Sequence, residues 1–260
     1  MIHWSEPQPH VGLAVIDRPE RRNALNAELC DDLRAHLDAA RDLRAVVITG
    51  EGSAFCAGAD LARRSADTAD GGGLEHGGGD TFRPAFEQLL DAIVDLPAPV
   101  IAAVNGHALG AGMQLAVACD FRVVAPRAAL GIPAAKLGVV LSAANIRRLA
   151  QLVGPGVARD LLLTGRAVDA DEAERVGLVH RRADDARAAG LSLAGELAAL
   201  APLTVQSHKR ALNLVAAAGV LDDAALAEIA DLEATAFASE DLQEGLAAFA
   251  EKRPPEFRGQ

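Results

Sequence analysis

Tyrosine is absent from this 260-residue chain, and aromatic residues make up only 3% of it. That removes the phenolic side chain from any acid–base mechanism and leaves the core to be packed from small and branched aliphatic residues, chiefly alanine and leucine. Cysteine is scarce as well. Cys30, Cys56 and Cys119 form no CxxC pair and, being three, cannot all be joined in disulfides, so a reducing compartment is expected. No run of about 18 residues, the length a membrane-spanning helix needs, is apolar and free of charge. The opening MIHWSEPQPH lacks the basic stretch and apolar segment of a secretory signal. A soluble, cytoplasmic protein without a transmembrane segment is the expectation. Positive charge is in deficit, with 25 Lys and Arg against 36 Asp and Glu and a net charge of −11. A general affinity for nucleic acid is thereby excluded, and an anionic ligand needs a local basic pocket. There is no GxSxG elbow, HExxH helix or Walker lysine motif, and the seven histidines are scattered without metal-ligand spacing. Neither a metal centre nor nucleotide hydrolysis is expected.

What is present is a recurring strand–turn–helix pattern. Short apolar runs at 11–16, 45–49 and 100–104 end at or near Gly or Asn and lead into helical periodicity, which predicts the α/β class. Leu25, Leu29, Leu33 and Leu37 recur every four residues and form the buried stripe of a helix. Residues 71–79, GGGLEHGGG, carry six glycines in nine positions and read as a mobile loop or lid. After about residue 200 the strand pattern stops, and LTVQSHKRALNLVAAA, AALAEIADLEATAFAS and EDLQEGLAAFAEKR all read as amphipathic helices. The expected organisation is a core over 1–198 and a helical subdomain over 199–260. Two prolines in EKRPPEFRGQ end the last helix, and Lys252 and Arg253 sit where cations complement its dipole.

Two small-residue turns draw attention, FCAGAD at 55–60 and GAGMQ at 110–114. A backbone N–H at a helix start has no intrahelical acceptor and is able to donate to an anion or a developing oxyanion. Taken singly, each turn is equally well a plain strand-to-helix junction. Together, FCAGADL and the later PVIAAVNGHALGAGMQLAVACDFRVVAP resemble the enoyl-CoA hydratase/isomerase family, the crotonase superfamily. RPERRNALN, LLLTGRAVDADEAERVGLV and FAEKRPPEF extend the resemblance over nearly the whole chain.

The resemblance implies a spiral of ββα units with a C-terminal helical region that builds a homotrimer or a dimer of trimers. It also implies acyl-coenzyme A thioesters as ligands in lipid metabolism, with coenzyme A entering as part of the ligand and no permanently bound cofactor. The oxyanion donors implied are the backbone N–H groups of Ala59 and Ala111, the latter standing where Gly is usual. CoA contacts carried over are Arg22, Asn23 and Ala24, the run Ala57, Gly58, Ala59, Asp60, Leu61 and Ala62, then Gly110, Phe249 and Lys252. For Lys252 a dipole-capping role competes with ligand contact.

The pattern breaks at the two glutamates with which the family handles water and a proton. Their positions hold Gln114 and Ala134. Loss of one general acid or base costs on the order of 10²- to 10⁴-fold in rate, so loss of both predicts an acyl-CoA binder or carrier rather than a competent hydratase. LGVVLSAANIRRLA replaces the glycine-rich stretch that usually follows and reshapes the acyl pocket. Gln114 either orients a water or the thioester or is a satisfied side chain beside the pocket. The rival reading is an isomerase, hydratase or thioester hydrolase using other acid–base groups, with His107, Asp60 or the loop pair Glu75 and His76 supplying protons. Bland roles compete for each of these. They compete also for Asp120, as a brace of its turn, for Cys56, as a small buried residue, and for Lys136, as a solvated side chain.

Overall fold

The structure is a computed structural model that describes residues 1–60, 81–217, 223–251 and 253–260. The 71–79 loop, with Glu75 and His76, and Leu61, Ala62 and Lys252 lie outside the described residues.

Six strands form the larger sheet in the order β1-β2-β3-β5-β7-β10. They are β1 (Ile2–Gln8), β2 (Val11–Ile16), β3 (Ala45–Gly50), β5 (Val100–Val104), β7 (Phe121–Val124) and β10 (Arg181–Arg182). All pairings are parallel except the antiparallel β1–β2 hairpin. Every residue of β2, β3 and β5 is buried, which explains why these strands read as continuous apolar runs: a parallel sheet is covered on both faces. A second, smaller sheet follows the order β4-β6-β8-β9, formed by β4 (Ala54–Cys56), β6 (His107–Leu109), β8 (Ala129–Gly131) and β9 (Ala167–Asp169). Its first three strands run parallel.

Helix α1 (Ala27–Ala39) buries Leu29, Leu33 and Leu37 and packs on α2 (Phe82–Asp95) over the larger core. Leu25 belongs to the same apolar stripe but precedes the helix. The Asn26 side chain accepts from Leu29 N at 2.9 Å and starts the helix there, while Leu25 bridges to Ala59. Next come α3 (Ala111–Ala118), α4 (Ala143–Thr164), whose backbone leaves the helical region at Gly154 before Pro155, and the short α5 (Ala170–Arg175). Helix α6 (Ala186–Ala198) covers the other face of the large sheet, with Gly190 set so close to Ala103 that a Cβ would lie 3.0 Å from its methyl.

The chain ends in α7 (Pro202–Ala217), α8 (Asp223–Phe237) and α9 (Glu240–Glu251). Buried Lys209 ties α7 to the core through Ile93 O at 3.1 Å, Ala98 O at 3.0 Å and the Asp120 carboxylate at 2.8 Å. Asp120 also accepts from Val100 N at 2.7 Å, so this carboxylate is a brace. Among the described residues no single helix is long and apolar enough to cross a membrane.

Candidate functional site

The parallel strands β4, β6 and β8 deliver their C-terminal ends side by side, which is where open α/β sheets place ligands. β4 runs into Ala57–Asp60, β6 into Gly110 and Ala111, and β8 into Pro133 and Ala134. The Gly110 N–H donates to Gly131 O at 2.8 Å and locks the second turn to the third strand. The two glycine turns meet. A Cβ on Gly58 would lie 3.7 Å from Ala111 N, and one on Gly110 would lie 3.8 Å from Gly58 Cα. The left-handed conformations fall on Gly58 (φ 113) and Gly110 (φ 58), not on the alanines that follow. Ala111 is therefore an ordinary first residue of α3, and alanine in place of glycine costs nothing there.

Neither candidate N–H has an acceptor among the described residues. Ala111 N–H opens a helix. Around Ala59, Leu25 N donates to Gly58 O and Asp60 N donates to Leu25 O, each at 2.8 Å, so the Ala59 N–H points away from that bridge. Helix α3 reaches this position because residue 112 is glycine: a Cβ there would stand 2.1 Å from Cys56 O.

The segment before α1 is laced to the first turn. Arg22 O accepts from Ala57 N at 3.0 Å, and Arg22 and Asn23 both adopt positive φ, 50° and 59°. Asn23 is fully buried. Its amide donates to Glu51 O and Ala54 O, and its oxygen accepts from Arg18 N. That side chain is spent on holding the turn, whereas Arg22 is exposed. Ala24 O accepts from the Arg18 guanidinium at 3.3 Å, and the same guanidinium binds the buried Asp60 carboxylate at 2.8 Å. Asp60 is held in an ion pair.

Gln114 lies one turn into α3, on the face of Ala111, and leans back toward the helix start as helical side chains do. Its Nε2 reaches Gly110 O at 3.4 Å, and its Oε1 accepts from Asn145 Nδ2 at 2.9 Å. Asn145 Nδ2 also donates to Glu87 Oε1 at 3.1 Å, Ser142 Oγ donates to Glu87 Oε2 at 3.2 Å, and Arg148 donates to Asn145 Oδ1 at 2.8 Å. Glu87 and Asn145 carry no sequence signal for the site. Only the packing of α2, α3 and α4 brings together residues 58 positions apart.

The remaining candidates lie elsewhere or are inert. His107 is exposed at the start of β6, and Ala108 and Leu109 separate it from Gly110, a span of roughly 10 Å. Burial pushes the Cys56 thiol up to about 12, which keeps it protonated and unreactive. Lys136 is exposed and lies along Gly165, at the C-cap of α4. Phe249 falls on α9, and its side chain lies outside what the structure describes. A cavity of about 570 Å³ lies apart from the turns, between α7, α8 and α9, where Ile229, Leu232, Leu242 and Phe257 line it. It has no strand end or paired turn and holds none of the residues singled out for chemistry.

The sequence pattern of the family described as Enoyl-CoA hydratase/isomerase matches residues 7–260. A Mycobacterium tuberculosis protein named "Probable enoyl-CoA hydratase" is 41% identical over 254 residues, spanning 94% of each chain. Among solved structures, an enoyl-CoA hydratase from Polaromonas sp. JS666 superposes with a TM-score of 0.89 at 32% identity, covering 99% of each chain. One from Bacillus anthracis gives 0.87 at 33% identity, covering 100% of this chain and 99% of that one.

Proposed function

Because the chain belongs to the enoyl-CoA hydratase/isomerase family and has the crotonase fold, we propose that it binds fatty acyl-CoA thioesters at the paired turns without hydrating them at a metabolic rate. It serves as an acyl-CoA binder or carrier. The Ala59 and Ala111 N–H groups hold the thioester oxygen. Arg22 and the Ala57–Asp60 run, with its continuation through Leu61 and Ala62, flank the coenzyme A moiety, which Phe249 and Lys252 reach from a neighbouring subunit of a trimer or hexamer. Exposed Leu212, Val215, Leu226 and Leu246 on α7, α8 and α9 support such an assembly.

One observation carries the reading: the Ala59 and Ala111 N–H groups lack acceptors among the described residues and stand on turns that meet, while the Glu87 carboxylate stands behind Gln114, bound to Asn145 and Ser142. Gln114 and Ala134 are not ionisable, Cys56 is locked as a thiol, Asp60 is bound to Arg18, and His107 stands at the far end of its strand. A hydratase needs both a base for water and an acid for the α-carbon. Calorimetric titration with palmitoyl-CoA is expected to give saturable binding, and crotonyl-CoA is expected to remain unhydrated. Absence of binding, or turnover at ordinary enzymatic rates, refutes the reading.

A further inference from the structure

The polar network behind Gln114 runs in one direction only. Glu87 is a carboxylate and accepts, so the Asn145 atom facing it must be the amide nitrogen. Arg148 has only donors, so the Asn145 atom facing it must be the oxygen. Two one-way partners thus settle the orientation of an amide that is 4% exposed and has both its N–H donors engaged. The same nitrogen faces Gln114, whose near atom must in turn be Oε1. The Gln114 NH₂ is left pointing the other way, with one long contact to Gly110 O at 3.4 Å and a second hydrogen without an acceptor among the described residues. Gly110 immediately precedes Ala111, so the Gln114 amide stands at the turn that presents the Ala111 N–H.

We propose that Glu87 and Asn145 fix Gln114 as an obligate hydrogen-bond donor, so that the site selects acyl-CoA thioesters carrying a second acceptor oxygen next to the thioester carbonyl. The inference rests on the reading of the paired turns as the thioester site and adds the substrate class. A 3-oxoacyl thioester has the required shape, with its second carbonyl flanking the first. Glu87 and Asn145 are positioning residues, and Gln114 is the group that touches the ligand.

The test compares acetoacetyl-CoA with butyryl-CoA, which share chain length and differ only in the acceptor. Titrated into the wild-type protein, acetoacetyl-CoA is expected to bind about tenfold more tightly, the effect of one added hydrogen bond. Asn145→Asp offers Gln114 only acceptors, so the Gln114 amide must turn over and present its oxygen to the ligand. The preference is then expected to vanish or reverse. The double variant Glu87→Gln with Asn145→Asp removes the carboxylate–carboxylate repulsion and is expected to show the same reversal at near wild-type melting temperature. Because both ligands are measured on each variant, the ratio does not respond to a general loss of stability. Equal binding of the two ligands by the wild-type protein overturns the inference and leaves the thioester site standing. A preference retained in the double variant also overturns it. Failure of both ligands to bind removes the thioester site and the inference together.

Discussion

Single residues decide whether the two turns meet, and the decisive ones were only half legible in the sequence. Glycines at 58 and 110 read as turn residues because the left-handed conformation favours them, and both do adopt positive φ. The demand on Gly112 is of another kind, since its φ is ordinary and the constraint is the Cys56 carbonyl, 2.1 Å from where a Cβ would stand. No local pattern announces such a contact between chain segments. Neither does any pattern announce Asn145, whose role exists only once three helices are packed. Gly112→Ala is expected to push α3 off β4, separating Ala111 from Ala59, and to cost about 3 kcal/mol of stability. Chemical denaturation and acyl-CoA titration check both effects, and a variant of wild-type stability that still binds its ligand would show that the contact yields easily.

Elements were legible where burial is one-dimensional. The runs 11–16 and 100–104 are the strands β2 and β5 to the residue, because both faces of these strands are covered and every position must be apolar. Strands β4, β6 and β8 have three residues each, too few for any periodicity to register, yet their ends form the candidate site. Helix α6 was likewise silent, since its small apolar residues leave no clear stripe. At this scale the docking of α7 hangs on one side chain. Lys209 places an ammonium among two carbonyls and the Asp120 carboxylate, and Lys209→Met leaves all three without that partner. Breaking a buried pair in this way is expected to cost about 3 kcal/mol or more. Asp120→Asn in the same chain is expected to cost less than the sum of the two single changes. A double-mutant cycle by urea denaturation measures the difference, and strict additivity would show that the pair is not coupled.

For the whole molecule, class and family were readable because the motifs carrying them are contiguous, while the polar scaffold beneath the sheets was not, since it joins residues far apart in sequence. Arg122 shows this best. Fully surrounded, it donates to Ala116 O, Cys119 O and Leu178 O, while His180 Nδ1 accepts from its backbone N–H and faces its guanidinium, each at 3.3 Å. The one lone pair of that ring nitrogen is thus taken by donors. Burial, and then the charges of Arg122 and Arg181, push the His180 imidazole down to about 4 from its ordinary 6.5. Above pH 6.5 folded and unfolded chains both hold a neutral ring, and nothing is gained or lost. As pH falls from about 6.5 towards about 4, the unfolded chain takes up a proton that the folded chain refuses, so stability declines across that window. Replacing the imidazole by His180→Gln keeps an acceptor for Arg122 and removes the titration. Urea denaturation at stepped pH is expected to show a shallower decline between pH 6.5 and 4 for the variant, by up to the slope of one proton. Parallel curves for the two proteins would mean that His180 takes up its proton equally in both states.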